Sequence, residues 1–378
     1  MRHFPLVYAI STHIISSLGI ECDSHWQAVK QGKTGIELHN NLLISAMPFM
    51  GSIIDNDAWR VIKNNVQDES LTPFEQMAAF SIGKAMEKVQ GAINLDETIF
   101  ILATTKGNIE LASTTNELRL PLSETAKAIA SYHGFNTKPI VVSNACTSGV
   151  AALLHGLRLL QNGSYKHAVV CGCDRFSRFV LCGFQSFMAT SPLPCRPFDA
   201  DRQGINMGEA AATIILSVNS TAQPVAQLLS GATTNDSNHI SGPSRTGEEL
   251  ATAIRRSLMV AALVPEQMNM ISAHGTATIF NDEMEAKAFH LSGLANTPLH
   301  SFKGFVGHTL GAAGILESAM ALESLQKQML IPSLGFQTSG VTKPVNITTE
   351  LKKAEINYVL KTSSGFGGCN AAVIWGKC

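Results

Sequence analysis

The sequence predicts an α/β protein whose mixed sheets are covered by helices, and three observations carry that prediction. Short apolar, β-branched runs alternate with longer segments of helical spacing, and they do so in both halves of the chain. At 378 residues the chain is too long for one simple core and long enough for two domains or one large duplicated fold. Hydrophobic residues make up 45% and charged residues only 15%, which favours a compact molecule with a large subunit interface over a disordered or solenoid chain.

Taken in order, Pro5-Leu-Val-Tyr-Ala-Ile10 reads as a strand, with Ser11-Thr-His13 interrupting the apolar run and a turn following. Asp23 to Gly32 reads as a capped helix ended by its glycine. Residues 33–57 show little pattern beyond a short strand near Phe49 to Ile54. Thr72-Pro-Phe-Glu75 opens a helix with a capping box and Pro at its first position, and the helix runs on to Lys88. Thr98 to Gly107 is a buried strand ending in a polar turn, and Leu122 to His133 a helix. His167 to Cys173 is a further strand, so Cys171-Gly-Cys173 reads as alternate residues of a buried run. After a polar loop, Pro197 to Glu209, the run Ala210 to Val218 is again a strand.

A small polar break, Asn219-Ser-Thr-Ala-Gln-Pro224, marks the boundary, giving one half over residues 1–220 and another over 221–378. In the second half Val225 to Ser230, Met268 to Ala273, Ile356 to Lys361 and Ala371 to Trp375 read as strands. Thr246 to Leu263, Asn281 to Leu291 and Gly311 to Met329 read as helices. Ile99-Phe-Ile-Leu-Ala-Thr-Thr-Lys-Gly107 and Tyr358-Val-Leu-Lys-Thr-Ser-Ser-Gly365 rhyme weakly, as a duplication would.

With formal net charge −1 there is no global basic field for nucleic acid or anionic membranes. The eight cysteines sit mostly in apolar runs without repeated Cys-x-x-Cys pairs, which argues against a disulfide framework or a zinc cluster and for a reducing cytoplasm. No segment reaches the roughly 18 apolar residues of a membrane helix. Glycine spacing fits neither a dinucleotide site nor a P-loop, and no His/Cys/Asp cluster has metal-ligand spacing, so neither bound cofactor nor metal is expected.

The chemistry gathers on polar turns. Val141-Val-Ser-Asn-Ala-Cys146-Thr-Ser-Gly149 runs straight into a helical pattern, so Cys146 should sit where a buried strand hands over to a buried helix. There, free amides and the positive helix end stabilise a thiolate. A lone cysteine is more often structural, but two histidines accompany it: His274 in Ser272-Ala-His-Gly-Thr276-Ala-Thr278 and His308 in Ser301-Phe-Lys303-Gly-Phe-Val-Gly-His308. An imidazole in a glycine-bracketed turn needs a partner or a substrate, and two such rings beside one cysteine favour catalysis.

With these motifs the sequence resembles the β-ketoacyl-acyl-carrier-protein synthases of the thiolase-like superfamily, in the branch that elongates with malonyl units. Ala145 to Gly149 is similar to that family's nucleophile motif, and His274 to Thr278 to its first histidine motif. Lys303 through His308 resembles the second histidine motif, and Gly365-Phe366-Gly-Gly368 the C-terminal glycine-rich turn. Pro197-Phe-Asp199 with Arg202 and Gly208-Glu209 resembles the mid-chain loop. The resemblance implies a five-layer α-β-α-β-α fold of two similar halves, with the first carrying the nucleophile and the second the histidines. It implies decarboxylative condensation of an acyl group held on Cys146 with a malonyl thioester, His274 and His308 stabilising the enolate and the amides of Cys146 and Phe366 the oxyanion. Lys303 would bridge to Asp282 and Glu285 and orient the histidines, with Glu317 in support. Phe366 would gate the chain. Thr276, Thr278 and Ser241 would line the phosphopantetheine arm of an acyl carrier protein, and Arg196 would contact the carrier. The assembly implied is a homodimer, or a heterodimer with a ketosynthase-like subunit.

The chain departs from that pattern in places. Val66-Gln-Asp-Glu-Ser70 is acidic where carrier-binding relatives carry basic residues, Ala210 replaces a glycine, and residues 108–120, which help to shape the acyl pocket in relatives, look shortened and polar. These departures keep a second reading of another class: a non-catalytic, chain-length-factor-like partner subunit, which generally lacks the nucleophile.

Overall fold

The computed structural model describes residues 4–113, 117–219, 224–238 and 240–378. Ten strands form its main sheet. The first five are β1 (Tyr8–Ile15), β2 (Thr98–Ala103), β3 (Ile140–Val142), β4 (His167–Asp174) and β5 (Ala210–Ser217). The second five are β6 (Ala226–Asn235), β7 (Met270–Ser272), β8 (Leu299–His300), β9 (Tyr358–Gly365) and β10 (Cys369–Gly376). Across the sheet they lie in the order β3-β2-β4-β5-β1-β6-β10-β9-β7-β8. Each half therefore has the same plan. In the first, β1–β5 and β5–β4 pair antiparallel and β4–β2 and β2–β3 parallel. In the second, β6–β10, β10–β9, β9–β7 and β7–β8 repeat that sequence of directions. The duplication that two short strings only hinted at is thus a repeat of topology. The division expected between residues 220 and 221 falls among residues 220–223, outside the described residues.

The helices are α1 (Cys22–Gln31), α2 (Asn56–Asn65), α3 (Pro73–Glu87), α4 (Leu122–His133), α5 (Ser148–Gln161), α6 (Arg178–Ser186), α7 (Glu248–Ala261), α8 (Ile279–Leu291), the single turn α9 (Lys303–Val306) and α10 (Ala313–Lys327). They build the five layers. α5 and α10 pack on each other between the two half-sheets, α3 covers the outer face of the first, and α7 that of the second, with α8 against it. Strand alternation distributes the side chains accordingly: Val169, Cys171 and Cys173 join Phe80 and Phe74 in the outer core of the first half, whereas Ala168 and Val170 join Leu157 and Ile315 in the central core. Strands covered on both faces must be apolar throughout, which is why they read as unbroken hydrophobic runs.

The Thr72 capping box forms as expected, Thr72 Oγ1 accepting from Glu75 N and Glu75 Oε2 from Thr72 N. One sequence expectation is corrected, and two helices stand where none was expected. Ser11-Thr-His13 does not interrupt the first strand; β1 runs on to Ile15 because these polar groups find buried partners, Ser11 Oγ donating to Ala85 O at 2.7 Å and His13 Nδ1 lying 3.3 Å from Ser81 Oγ. Helix α2, capped by Asp55, begins at the end of the poorly patterned stretch 33–57 and lies mostly beyond it, and α6, capped by Ser177, follows β4 where the sequence suggested no element. Each buries one or two residues, Ile62 in α2 and Val180 with Leu181 in α6, too narrow an apolar stripe to stand out. Among the described residues no helix is long and apolar enough to cross a membrane.

Candidate active site

Cys146 lies on the turn between β3 and α5. Ala145 adopts φ 45°, which swings the chain from strand direction into the helix, and Ser148 Oγ closes the turn by donating to Ala145 O at 2.6 Å. The start of α5 meets the start of α10 backbone to backbone. A Cβ on Gly149 would come within 2.8 Å of Ile315 N, and one on Gly314 within 2.6 Å of Val150 N, so only glycine permits the approach that brings the two halves' sites together. Asp174, at the end of β4, ties the same junction: it accepts from Thr104 Oγ1 at 2.8 Å and from Gly311 N at 2.7 Å. Asp174 was not singled out from the sequence, where it ends an apolar strand with nothing to mark its partners.

His274 follows β7 and His308 follows α9. The two rings stand edge to face with centroids 5.2 Å apart, and the Cys146 sulfur and one nitrogen of each histidine all lie within 4.8 Å of one another. Cys146 is 8% exposed, and the histidines 2% and 1%. Burial dominates the electrostatics. It pushes the Cys146 thiol up to about 11 despite the nearby Lys303 ammonium. The thiolate expected from the helix end is therefore not the resting state, because the desolvation of an enclosed sulfur outweighs the dipole. Burial, with Lys303 and Lys361 adding to it, holds both histidines well below the usual imidazole range, so they are neutral.

Lys303 is wholly buried. Its Nζ donates to His274 O at 2.6 Å, to Glu317 Oε1 at 2.7 Å and to His274 Nδ1 at 3.3 Å. An ammonium can only donate, so His274 Nδ1 accepts and the neutral ring carries its proton on Nε2. The expected bridge from Lys303 to Asp282 and Glu285 does not exist. Those carboxylates instead hold the turn from below: Glu285 accepts from His274 N at 2.9 Å and Gly275 N at 2.6 Å, and Asp282 from Thr276 N at 2.9 Å and Phe198 N at 2.7 Å. Spacing put the acids near the histidine turn but could not show that backbone amides would claim them first. Burial raises Asp282 to about 6. Glu317 stays below the ordinary carboxylate range, since Lys303 and Lys361 overcome the upward push of burial.

The Phe366 turn reaches the nucleophile. Ser363 Oγ donates to Cys146 O at 3.0 Å, and a Cβ on Gly365 would come 3.0 Å from Cys146 N. Phe366 stacks on Phe184 at 5.7 Å and meets Phe187 edge-on. A cavity of about 510 Å³ joins these groups. Phe184, Phe187, Met188 and Phe366 give it an apolar side, and Ser241, Thr276 and Thr278 a polar one. Thr276 and Thr278 hydroxyls lie 2.8 Å apart. Arg196 is not part of this lining; it faces Asp199 at 3.9 Å on a partly exposed surface. Within the stretch 108–120, Arg119 pairs with the buried Glu75 at 2.8 Å, and residues 114–116 lie outside the described residues.

The β-ketoacyl synthase N-terminal domain profile matches residues 10–222 and the C-terminal domain profile residues 225–337. The chain belongs to the β-ketoacyl synthase family. This ketosynthase is 27% identical, over 96% of its length and 97% of the relative's, to a protein of Schizosaccharomyces pombe described as a putative mitochondrial 3-oxoacyl-acyl-carrier-protein synthase. Further curated relatives are matched over 59% to 74% of their length. A β-ketoacyl synthase from Burkholderia phymatum superposes with TM-score 0.86 at 22% identity, covering 99% of this chain and all of that one. A ketosynthase solved in complex with its chain length factor, from Xenorhabdus doucetiae, gives 0.84 at 24% over the full length of both. These two share the thiolase-like fold, and the ketosynthase is an acyltransferase of the 3-oxoacyl-acyl-carrier-protein synthase type.

The neutral buried histidines have a consequence for stability. Burial pushes His25 and His133 down to about 4 and His300 to about 3 from an ordinary value of 6.5. With the folded value depressed, the unfolded chain takes up protons first. The contribution is thus complete above about pH 6.5 and lost as pH falls toward 4, by a few kcal/mol per group. The urea midpoint should drop steeply between pH 7 and pH 5; a flat profile over that window would contradict the buried, neutral assignment.

Proposed function

We propose that this ketosynthase condenses an acyl group carried on Cys146 with malonyl-acyl-carrier protein, releasing carbon dioxide and a 3-oxoacyl thioester. The observation that carries the residue assignment is His308: its ring is buried, neither nitrogen has a hydrogen-bond partner, and it faces the cavity beside Cys146. An imidazole left so is costly unless a ligand completes it.

The Cys146 sulfur attacks the incoming thioester carbonyl, and the thiol proton ends on the released carrier thiol, so the exchange is balanced without a net base. Malonyl thioester then enters the same cavity. His274 Nε2–H and His308 donate to its thioester oxygen, lowering the energy of the enolate formed as the carboxylate leaves as carbon dioxide. The enolate carbon attacks the acyl-cysteine carbonyl. The oxyanion is met by the Cys146 and Phe366 amides, and collapse expels the Cys146 sulfur as a thiolate, which takes one proton from water to restore the thiol. Phe366, between Phe184 and Phe187, separates the acyl side of the cavity from the polar side, where Ser241, Thr276 and Thr278 would receive the phosphopantetheine arm.

A dimer, either of two copies or with a ketosynthase-like subunit, fits the complex described for the Xenorhabdus neighbour. Unpaired cysteines suit a reducing compartment. The non-catalytic partner reading gains no observation of its own. The test is intact mass after incubation with acyl-loaded carrier. Wild type should gain one acyl group and Cys146→Ala none; a wild type that stays unacylated with a candidate partner subunit present would end the enzyme reading.

A further inference from the structure

Behind the two histidines lies a buried charge cluster that the reaction described above does not fully use. Lys361, on β9, is as completely buried as Lys303. In the parallel register it stands beside Ser272, two residues before His274, and β9 continues into the Phe366 turn. Its Nζ lies 2.5 Å from Glu317 Oε2, opposite the oxygen that Lys303 holds. It also donates to Ser272 O at 3.2 Å, Ala273 O at 3.3 Å and Thr362 O at 2.6 Å. One side chain thus ties together the strand before His274, the helix that carries Glu317 and the strand that leads to Phe366.

An ammonium in such a place is unfavourable for folding, and an apolar residue would serve an interior strand better. Glu317 already has a partner in Lys303, so these three groups carry one more positive than negative charge, and both lysines act on the two histidine rings. Other acids near by keep their charge, Glu285 acting on Lys361 as well, but their oxygens are turned to other donors. From α8, Glu285 accepts from the 274 and 275 amides and Thr362, and Asp282 from the 276 and 198 amides. At the end of β4, Asp174 is taken by Thr104, Thr105 and Gly311. The remaining titratable neighbours, His300 from β8 and the Cys146 thiol, bring no negative charge, since burial keeps both uncharged.

We propose that Lys361 is a positioning residue of the condensing site: with Lys303 it clamps Glu317 and maintains a positive field behind His274 and His308, so that both rings meet malonyl thioester as neutral hydrogen-bond donors. The inference rests on the function proposed above. The direction of the histidine shifts agrees with it, Lys361 acting on both rings after burial and Lys303.

The experiment compares wild type with Lys361→Met and Lys361→Gln, the second keeping donors for the carbonyls without the charge. Three readouts are taken: acyl loading of Cys146, malonyl-coenzyme A decarboxylation across pH, and the ¹⁵N shifts of the histidine rings. Both variants should load within about twofold of wild type, while the acidic limb of decarboxylation moves up by about one pH unit, because lost positive charge lets the rings protonate earlier. An unmoved limb in both variants, or loading and decarboxylation falling together, overturns the proposal. If neither variant folds, wild type still decides. His274 should remain neutral with its proton on Nε2 at pH 6, and protonation of either site ring near 6.5 overturns the proposal. A wild type that fails to decarboxylate at all refutes the proposed function instead, a result the ring shifts keep separate.

Discussion

His308→Ala is expected to accept acyl groups on Cys146 and yet lose malonyl decarboxylation by about 10²- to 10³-fold, the effect of removing one preorganised donor from a developing oxyanion. The two half-reactions separate because they use different groups. Acyl exchange needs the sulfur and the Cys146 and Phe366 amides, none of which belongs to His308. Decarboxylation needs donors where the enolate oxygen forms, and His308 enters that space with both nitrogens unpartnered. The ring is neutral, so the variant removes a dipole and not a charge, and the buried Lys303–Glu317–Lys361 cluster keeps its own ion pairs. Intact mass follows loading, and released carbon dioxide follows the second step. Unchanged decarboxylation would remove His308 from the reaction; parallel loss of both steps would make it a structural group.

Glu317→Gln is expected to cost about 3–5 kcal/mol of stability, the range for breaking a buried ion pair by removing one partner. The substitution keeps the shape of the side chain but leaves the Lys303 and Lys361 ammonium groups facing a neutral amide in a fully enclosed space. Relief comes by releasing a proton. Lys361, which burial already holds below its ordinary range, would titrate lower still in the folded variant, so the deficit should shrink as pH rises toward that range. Urea unfolding at pH 7 and pH 9 measures this. A variant as stable as wild type at pH 7, or a deficit independent of pH, would mean that one of the lysines is already neutral. In the folded variant at higher pH, decarboxylation should also fall, since Lys303 loses the contact that aims it at His274 Nδ1.

Much of this was legible along the chain because local chemistry repeats on a short scale. Alternation of β-branched runs with helical spacing reported the α/β class, since strands sandwiched between helices must be apolar on both faces. The Thr72 box and the Gly32 stop are contacts within one turn, and they form where the residues stand. The polar turns that carry Cys146, His274, His308 and Phe366 were equally visible, as glycine-bracketed interruptions of buried runs. Three kinds of feature were not. Ser11-Thr-His13 hides a strand because its partners, Ala85 and Ser81, lie about seventy residues away. Helices α2 and α6 bury too few residues to leave a periodic trace. The Lys303 partner was misplaced because Asp282 and Glu285 stand close in sequence to the His274 turn, but backbone amides of that turn claim them, and Glu317, on the first turns of α10, takes the ammonium.

By itself, then, the sequence determined most of the elements, their alternation and the polar groups on four turns, all properties of neighbouring residues. Tertiary structure alone decided which charges meet. It packed α5 against α10 through Gly149 and Gly314, enclosed the sulfur so that its thiol stays protonated, and set two buried lysines on the one carboxylate of Glu317. The physical reason is that desolvation and ion pairing depend on what surrounds a group in space, and spacing along a chain carries no record of that.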